Sequence, residues 1–394
     1  MVLLTERMVQ PMDKPTVQDI FHRFYPAYLD QYSPSPVQAK VAHNIMNCKT
    51  GAYGANVCVC EDCGFVQIHY NSFRNRCCPM CQAVPKEMWM DARREDVLDA
   101  PYFHLVFTVP DILNPVIYSN QRLLYDALYH AASSTISELT ADPKRLGAKV
   151  GYICILHTWG SEMNFHPHIH TILLGGGLAS NNQWKDNGEN FFLPIRVISK
   201  VFRGKYLEEL KRLWKEDKLV FHGTAEKFRN HYTFKELLDS CYGMDWIPHC
   251  KKTFNGAQTV MKYLGKYTHR IAVSNHRTVR MDDDTVTFLV KDYRNEGQWK
   301  ELTISGVEFV RRFLMHVPPR RFVRIRHYGL LCSRTKNQKL TLCRNLLGCK
   351  KYLSKLRDME MPEILEHLYG IKVCVCKACG GHLGKPQMRM PLRC

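Results

Sequence analysis

Two short stretches carry residue types able to do covalent chemistry. The first, His166-Pro167-His168-Ile169-His170, opens an apolar run. Side chains alternate along a strand, so the three imidazoles share one face while Ile169 turns to the core. Two imidazoles flanking one apolar residue can chelate a single divalent cation. The second stretch is Tyr263-Leu264-Gly265-Lys266-Tyr267. On a helix, residues four apart are neighbours, so both phenols project together. Lys262 and Lys266 sit beside them, Arg270 follows, and Gly265 costs a helix about 1 kcal/mol relative to alanine. That composition suits a phosphate-bearing substrate. A phenol with a pKa of about 10 needs activation, and a phosphodiester needs polarising. A metal on neutral imidazoles is a Lewis acid that can polarise it. In-line attack by the phenolate then gives a covalent phosphotyrosine that conserves the bond energy for rejoining. Each pattern also has a plainer reading: hydrogen-bonded strand histidines, and aromatics packed on a sheet. ATP is not required by this chemistry, and no G-x-x-x-x-G-K-[ST] loop occurs in the chain.

Cysteine supplies the second kind of chemistry. The chain has 17, and the opening MVLLTERMVQPMDKP has too short an apolar stretch for a signal peptide. In a reducing compartment clustered cysteines are better read as metal ligands than as disulfides. Cys60-x2-Cys63, fourteen intervening residues and Cys78-x2-Cys81 have the spacing of a zinc ribbon, with four thiolates around a structural Zn2+. Cys58 and Cys77 are spare neighbours able to replace a ligand. An internal repeat stands out: VCVCEDCG (57–64) and VCVCKACG (373–380) match at six of eight positions. The second copy offers Cys374, Cys376 and Cys379 as ligands of a second zinc, with Cys394 or His382 as the fourth.

Elements able to position these groups follow from periodicity. FHLVFTVP reads as a strand, residues 116–138 as a long amphipathic helix, and YICILHTW and HIHTILL as two strands joined by a polar loop. A polar, insertion-like region occupies about 178–242. Beyond it come a short strand (DWIPHC), a helix (GAQTVMKYLGKYTHR), a hairpin (TVRMDD–DTVTFLV) and the helix SGVEFVRRFLMHV, stopped at Pro318-Pro319. Such a mixture predicts α+β with a largely antiparallel sheet. The expected division is a helical lead-in (1–48), a zinc-binding domain (49–95), a catalytic domain (96–330) and a basic C-terminal region (331–394). Length and composition fit a folded chain: 394 residues, 45% hydrophobic and 23% charged. A net charge of +18 calls for a polyanionic partner, and no apolar run is long enough to span a membrane. Cytoplasmic association with nucleic acid is the expectation.

The HPHIH strand followed by the tyrosine pair resembles the HUH superfamily of single-strand endonucleases. More narrowly, the chain resembles the two-tyrosine rolling-circle transposases of the insertion-sequence-ninety-one family. YNSFRNRCCPMCQ, PYFHLVFTVP, LHTWGSEMNFHPHIH, KYLGKYTHRIAVSNHR, VTFLVKDYR and FVRIRHYGLL carry the likeness across nearly the whole chain. The resemblance implies an α+β HUH nuclease domain, a central antiparallel sheet flanked by helices, with a small N-terminal zinc-ribbon domain. It implies that His168 and His170 hold Mg2+ or Mn2+, that Tyr263 and Tyr267 are the nucleophiles, and that Cys60, Cys63, Cys78 and Cys81 belong to a zinc-binding domain. The sequence departs from the family at Phe73 and Cys77, where Cys and His are expected, which leaves the zinc ligand set open. A third catalytic-metal ligand is also expected: His157 is the first choice, Gln258 and Glu162 the alternatives, with His166 orienting a ligand from behind.

Under that resemblance one tyrosine cleaves single-stranded DNA at a transposon end, keeps the 5′-phosphate and frees a 3′-OH. The second serves the other cleavage or the transfer to target DNA. No helicase motif occurs, so strand opening falls to a host helicase or to replication in the bacterial cell. Lys262, Lys266, Arg270, Arg324 and Arg326, with Arg320 and Arg321, are the expected phosphate contacts, Arg324 and Arg326 on one solvated strand face. Rival readings are a rolling-circle replication initiator or relaxase with the same chemistry, a zinc-dependent DNA-binding regulator, and a metal-dependent hydrolase.

Overall fold

The structure, a computed structural model, describes residues 14–186, 193–246, 248–254, 260, 265, 272–292 and 295–389. Two capped helices lead: α1 (Val17–Gln31) and α2 (Pro36–Met46). Thr16 and Ser35 close capping boxes with Asp19 and Gln38, which satisfies the first free N–H groups of each helix. Strands β1 (Ala55–Val59) and β2 (Val66–Tyr70) form a hairpin, and α3 (Ala83–Arg94) follows. Then come β3 (Tyr102–Thr108), α4 (Asn114–Ser119), α5 (Gln121–Ala141), β4 (Lys149–Trp159), β5 (Phe165–Leu178) and β6 (Trp184–Asp186). Helices α6 (Ile195–Lys215) and α7 (His231–Gly243) precede β7 (His249–Phe254). The remainder is β8 (Thr278–Met281), β9 (Thr285–Asp292), β10 (Gln298–Ser305), α8 (Gly306–Met315), β11 (Ile325–Gly329), α9 (Lys336–Leu347), α10 (Met361–Tyr369) and β12 (Gln387–Arg389).

The main sheet has the order β11-β4-β5-β3-β7, with β6 added beside β5, and every pairing is antiparallel. One face is covered by α5 and α6, which bury Phe103, Leu105, Phe107, Leu156, Ile169 and Leu173 in the largest core. The opposite face carries Ile153, Ile155 and Ile172 against Leu98, Val260, Leu340 and, partly buried, Met90. Because both faces are covered, β4 and β5 are buried almost end to end. That is why they read as continuous apolar runs and not as clean alternation. This is the mixed α+β architecture with antiparallel sheet and flanking helices that the pattern predicts.

Two elements differ from the sequence expectation. Residues 116–138 are not one helix: Asn120 separates α4 from α5 and uses its side chain on the carbonyls of Val116 and Val220. The region about 178–242 is not a polar insertion. Ile198, Phe202, Tyr206, Leu210 and Leu213 run down one side of α6 into the main core, a helical stripe diluted by the lysines and arginines of the opposite face. The helical lead-in packs into the body of the chain: Phe21, Phe24 and Ile45 lie with Phe288, Phe309 and Phe313 from β9 and α8.

Candidate active site and cysteine clusters

Register brings the histidines together. β4 and β5 pair so that His157 stands directly opposite His168, and His170 follows two residues along the same face. Each can bring one ring nitrogen within 4.8 Å of the others, and all three are at most 8% exposed. The Nε2 atoms of His168 and His170 are 3.0 Å apart. Two adjacent ligands of an octahedral cation, each at about 2.1 Å, stand roughly 3.0 Å from one another. The far side of each ring is engaged as well. His168 Nδ1 lies 2.7 Å from the carbonyl of His166, to which it donates. His170 Nδ1 lies 2.9 Å from Nε2 of His104. With those protons on Nδ1, both Nε2 lone pairs face one point.

Burial keeps these rings uncharged. Desolvation, aided by the neighbouring His166, lowers the His168 pKa to about 4, and desolvation with His157, His168 and His104 holds His170 well below its usual value. Two converging lone pairs on neutral buried rings repel unless a cation lies between them, so the donor set fits a divalent metal. His157 is held from behind: its ring stacks on Trp159 with centroids 4.5 Å apart, and Trp159 in turn lies 5.3 Å beneath the Arg324 guanidinium. His166 sits at the rim with Nδ1 3.1 Å from Asp111 Oδ1. The Glu162 carboxylate accepts from Asn164 at 3.4 Å and is not grouped with the histidines, and Gln258 lies outside the described residues.

The histidines line a cleft of about 760 Å3, bordered also by Lys86, Lys291, Trp299 and Gly265, and none of its described lining residues is acidic. Tyr263, Tyr267, Lys262, Lys266 and Arg270 lie outside the described residues. Two residues of their segment are described, and both are helical: Val260, buried against the histidine-bearing face of the sheet, and Gly265, in the cleft. A Cβ at Gly265 would run into Met90 Sδ and come within 3.2 Å of Lys86 Cε. The glycine between the tyrosines therefore admits α3 at close range.

Arg324 and Arg326 do not form a solvated face. Arg324 is 7% exposed. Arg326 pairs with Asp126 and lies 3.9 Å over the Tyr129 ring. α5 covers Arg326 through Asp126 and Tyr129, whereas Arg324 is buried over Trp159 with Cys77 and Arg76 nearby. Arg320 and Arg321 are exposed.

The cysteines are divided differently from a single ribbon. Cys60 and Cys63 gather with Cys376 and Cys379, whereas Cys78 and Cys81 gather with Cys48. The residues between the two N-terminal pairs are spent on β2, which returns along β1 and carries the chain away from Cys60. The hydrogen bond from Cys78, and a weaker one from Cys48, pull the Cys81 thiol down to about 6, as expected of thiols sharing thiolate character. Phe73 donates its backbone N–H to Cys48, while its ring lies tilted against Tyr53 with centroids 5.0 Å apart. Cys58 is buried beside Cys60, Cys376 and Leu383, and Cys77 is buried facing Arg324 and Arg76. Cys374 is exposed, the His382 ring lies 3.5 Å from Glu61, and Cys394 lies outside the described residues.

Comparison with known proteins decides the family. Residues 151–339 match the family described as putative transposase, and residues 20–109 the transposase zinc-binding domain. A putative transposase of Sinorhizobium fredii is 39% identical over 369 residues, 93% of either chain. The chain belongs to the insertion-sequence-ninety-one family of transposases. Its similarity extends to the transposase of insertion sequence element IS801 from Pseudomonas savastanoi pv. phaseolicola, 30% identical over 309 residues, covering 77% of this chain and 72% of that one. Among solved structures, the conjugative relaxase TrwC bound to oriT DNA overlaps 44% of this chain and 68% of its own at 16% identity. Its TM-score of 0.23 is too low to bear on the fold. In this family member the zinc-binding domain and the cysteine clusters support structural Zn2+. Cys376 and Cys379, expected in a separate second zinc, gather instead with Cys60 and Cys63, while Cys48 and His104 carry no spacing signal in the sequence. The sequence offered only that His104 lies in the strand-like run FHLVFTVP; its approach to His170 is set by the β3–β5 register.

Proposed function

We propose that the chain nicks and rejoins single-stranded DNA at transposon ends through a 5′-phosphotyrosine on Tyr263 or Tyr267, as an HUH endonuclease and strand transferase. One observation carries this reading: Gly265, midway between the two tyrosines, lines the same cleft as His157, His168 and His170. Neither a regulator whose tyrosines only pack nor a simple hydrolase accounts for both halves of that arrangement.

The cleft's cationic border, Lys86 and Lys291, draws in a phosphate and offsets its charge. His157, His168 and His170 are the residues that would hold Mg2+ or Mn2+. The chemistry a bound cation supplies there is Lewis-acid polarisation of a non-bridging phosphate oxygen. The tyrosine oxygen attacks phosphorus in line as the 3′-oxygen of the preceding nucleotide departs. One proton leaves the phenol and one is gained by the 3′-oxygen, so a phosphodiester is exchanged for a phosphodiester. Attack by a 3′-OH reverses the step and rejoins DNA. The second tyrosine keeps the other end tethered during transfer to target DNA. The duplex is opened by a host helicase or by replication, in the bacterial cytoplasm. No described helix is long and apolar enough to cross a membrane.

Labelled single-stranded DNA carrying the element's own end, incubated with the protein and Mn2+, tests the reading on a denaturing gel. A band of protein-linked DNA is expected from the native chain and not from Tyr263→Phe/Tyr267→Phe or from His168→Ala. A folded native chain that binds this DNA yet gives neither adduct nor nick overturns it.

A further inference from the structure

The repeated octapeptide has a structural meaning that neither copy shows alone. In the first copy the Cys60 N–H donates to the carbonyl of Phe65 at 2.9 Å, and the Gly64 N–H to the carbonyl of Cys60 at 3.0 Å. In the second, the Cys376 N–H donates to Gly381 at 2.8 Å and the Gly380 N–H to Cys376 at 3.0 Å. Gly64 and Gly380 both hold positive φ, 69° and 77°, the left-handed conformation that closes such a turn cheaply only as glycine. The two turns are the same object built twice.

They also face each other. Cys60 Sγ lies 3.5 Å from Cys379 Sγ, and Cys63 Sγ 3.8 Å from Cys376 Sγ, with all four sulfurs within 4.8 Å of one another. A tetrahedron of thiolates at the usual Zn–S length of about 2.3 Å has edges of roughly 3.8 Å. Backbone N–H groups of Ala378 and Gly381 point at Cys376 Sγ and Cys379 Sγ at 3.4 Å, which suits sulfurs carrying negative charge. The turns are bonded directly: Glu61 N–H donates to the His382 carbonyl at 3.1 Å, and Gly384 N–H to Val59 at 2.9 Å. β12 then pairs with β1 to complete the small sheet.

We propose that Cys60, Cys63, Cys376 and Cys379 form one Zn2+ site shared between the two ends of the chain, half of it outside both matched family regions. It is a closed, four-sulfur structural site, independent of the DNA chemistry. It fastens a segment that already grips α3: Tyr352 and Leu356 bond Asp91 at 2.6 and 3.0 Å, and Arg357 pairs with Glu95 at 2.7 Å. The C-terminal residues thus act as a metal-locked clasp on the helix that abuts Gly265.

Zinc per full-length chain, measured by elemental analysis, separates a shared site from two local ones. Cys60→Ser/Cys63→Ser and Cys376→Ser/Cys379→Ser should each lose one equivalent relative to the native chain, and the quadruple variant should also lose only one. Two equivalents lost from the quadruple variant, or none from the C-terminal pair, overturns the proposal. Cys379→His, a milder change, should keep the metal and shift the absorption bands of the Co2+-substituted protein. Unchanged bands contradict ligation by Cys379. Brief proteolysis should cut between 370 and 389 in the C-terminal pair variant and spare Cys78→Ser/Cys81→Ser; equal cutting in both counts against the clasp.

Discussion

His104 Nε2 stands 2.9 Å from Nδ1 of His170, ring nearly parallel to ring at a centroid distance of 5.1 Å. His104 is itself 7% exposed, and desolvation with the nearby His249 and His168 lowers its pKa to about 3. A neutral His104 can accept a hydrogen bond from His170 Nδ1–H and so fix the tautomer that turns His170 Nε2 to the proposed metal position. Under the proposed function it is a positioning residue, one strand away from the expected ligands. Partners of this kind are worth about 10- to 100-fold in metal affinity. His104→Phe should raise the Mn2+ concentration needed for half-maximal nicking by that factor and leave the rate at saturating Mn2+ within a few-fold. A change in maximal rate with no change in the Mn2+ midpoint argues against this role.

Acid should destabilise the metal-free fold. His316 and His327 join His104 and His168 in having pKa values lowered by burial, His316 and His327 to about 4. In the unfolded chain these rings titrate near about 6.5. Between those values the unfolded chain binds more protons, so stability rises with pH in that window. The contribution is complete above about 6.5 and is lost as pH falls towards 4. Each group adds up to about 1.4 kcal/mol per pH unit. Thermal melts at pH 8, 7, 6 and 5 should show little change over the first step and a growing fall thereafter. His316 hydrogen-bonds Thr158 and the Met163 carbonyl at 3.1 and 2.9 Å, so His316→Gln should make that fall shallower. A melting temperature independent of pH down to 5 contradicts the burial argument.

Trp299 and Arg326 make opposite predictions about DNA. Trp299 borders the cleft, is 52% exposed, and has Lys291 Nζ 5.3 Å from its ring. An open indole beside a cation is a stacking platform for an unpaired base, worth roughly 1–3 kcal/mol. Trp299→Ala should therefore weaken single-strand binding by roughly 5- to 150-fold. Lys291→Ala should flatten the salt dependence by about 0.7 per phosphate contact removed. Arg326→Ala should cost about 1–2 kcal/mol of stability from its cation–π contact and partly exposed ion pair, with DNA affinity unchanged. Fluorescence anisotropy across salt, paired with denaturant melts, separates these outcomes.

The histidine grouping was more legible than its surroundings. Short-range period made β4, β5, the β8–β9 hairpin and α8 readable, and the alternation of HPHIH put His168 and His170 on one face before any register was known. Positions fixed by distant pairing were not. Cys60 meets Cys379 across 319 residues, and ribbon-like spacing to Cys78 pointed elsewhere because spacing encodes only the local turn. Arg324 and Arg326 alternate as a solvated pair would. What covers them is distant in the chain, α5 over Arg326 and Trp159 under Arg324, and nothing in RRFVRIRHYG records it. α6 was missed because its lysine-rich outer face hid a regular apolar stripe.

Peptide mapping of the protein–DNA adduct tests the central claim most directly. A short oligonucleotide carrying the transposon end is cleaved with Mn2+, the protein is digested, and the DNA-linked peptide is identified by mass. The expected result is a nucleotide 5′-phosphate on a peptide containing Tyr263 or Tyr267, absent when His168 is alanine. A phosphate linked to any other residue, or cleavage that leaves no linked peptide, contradicts the account.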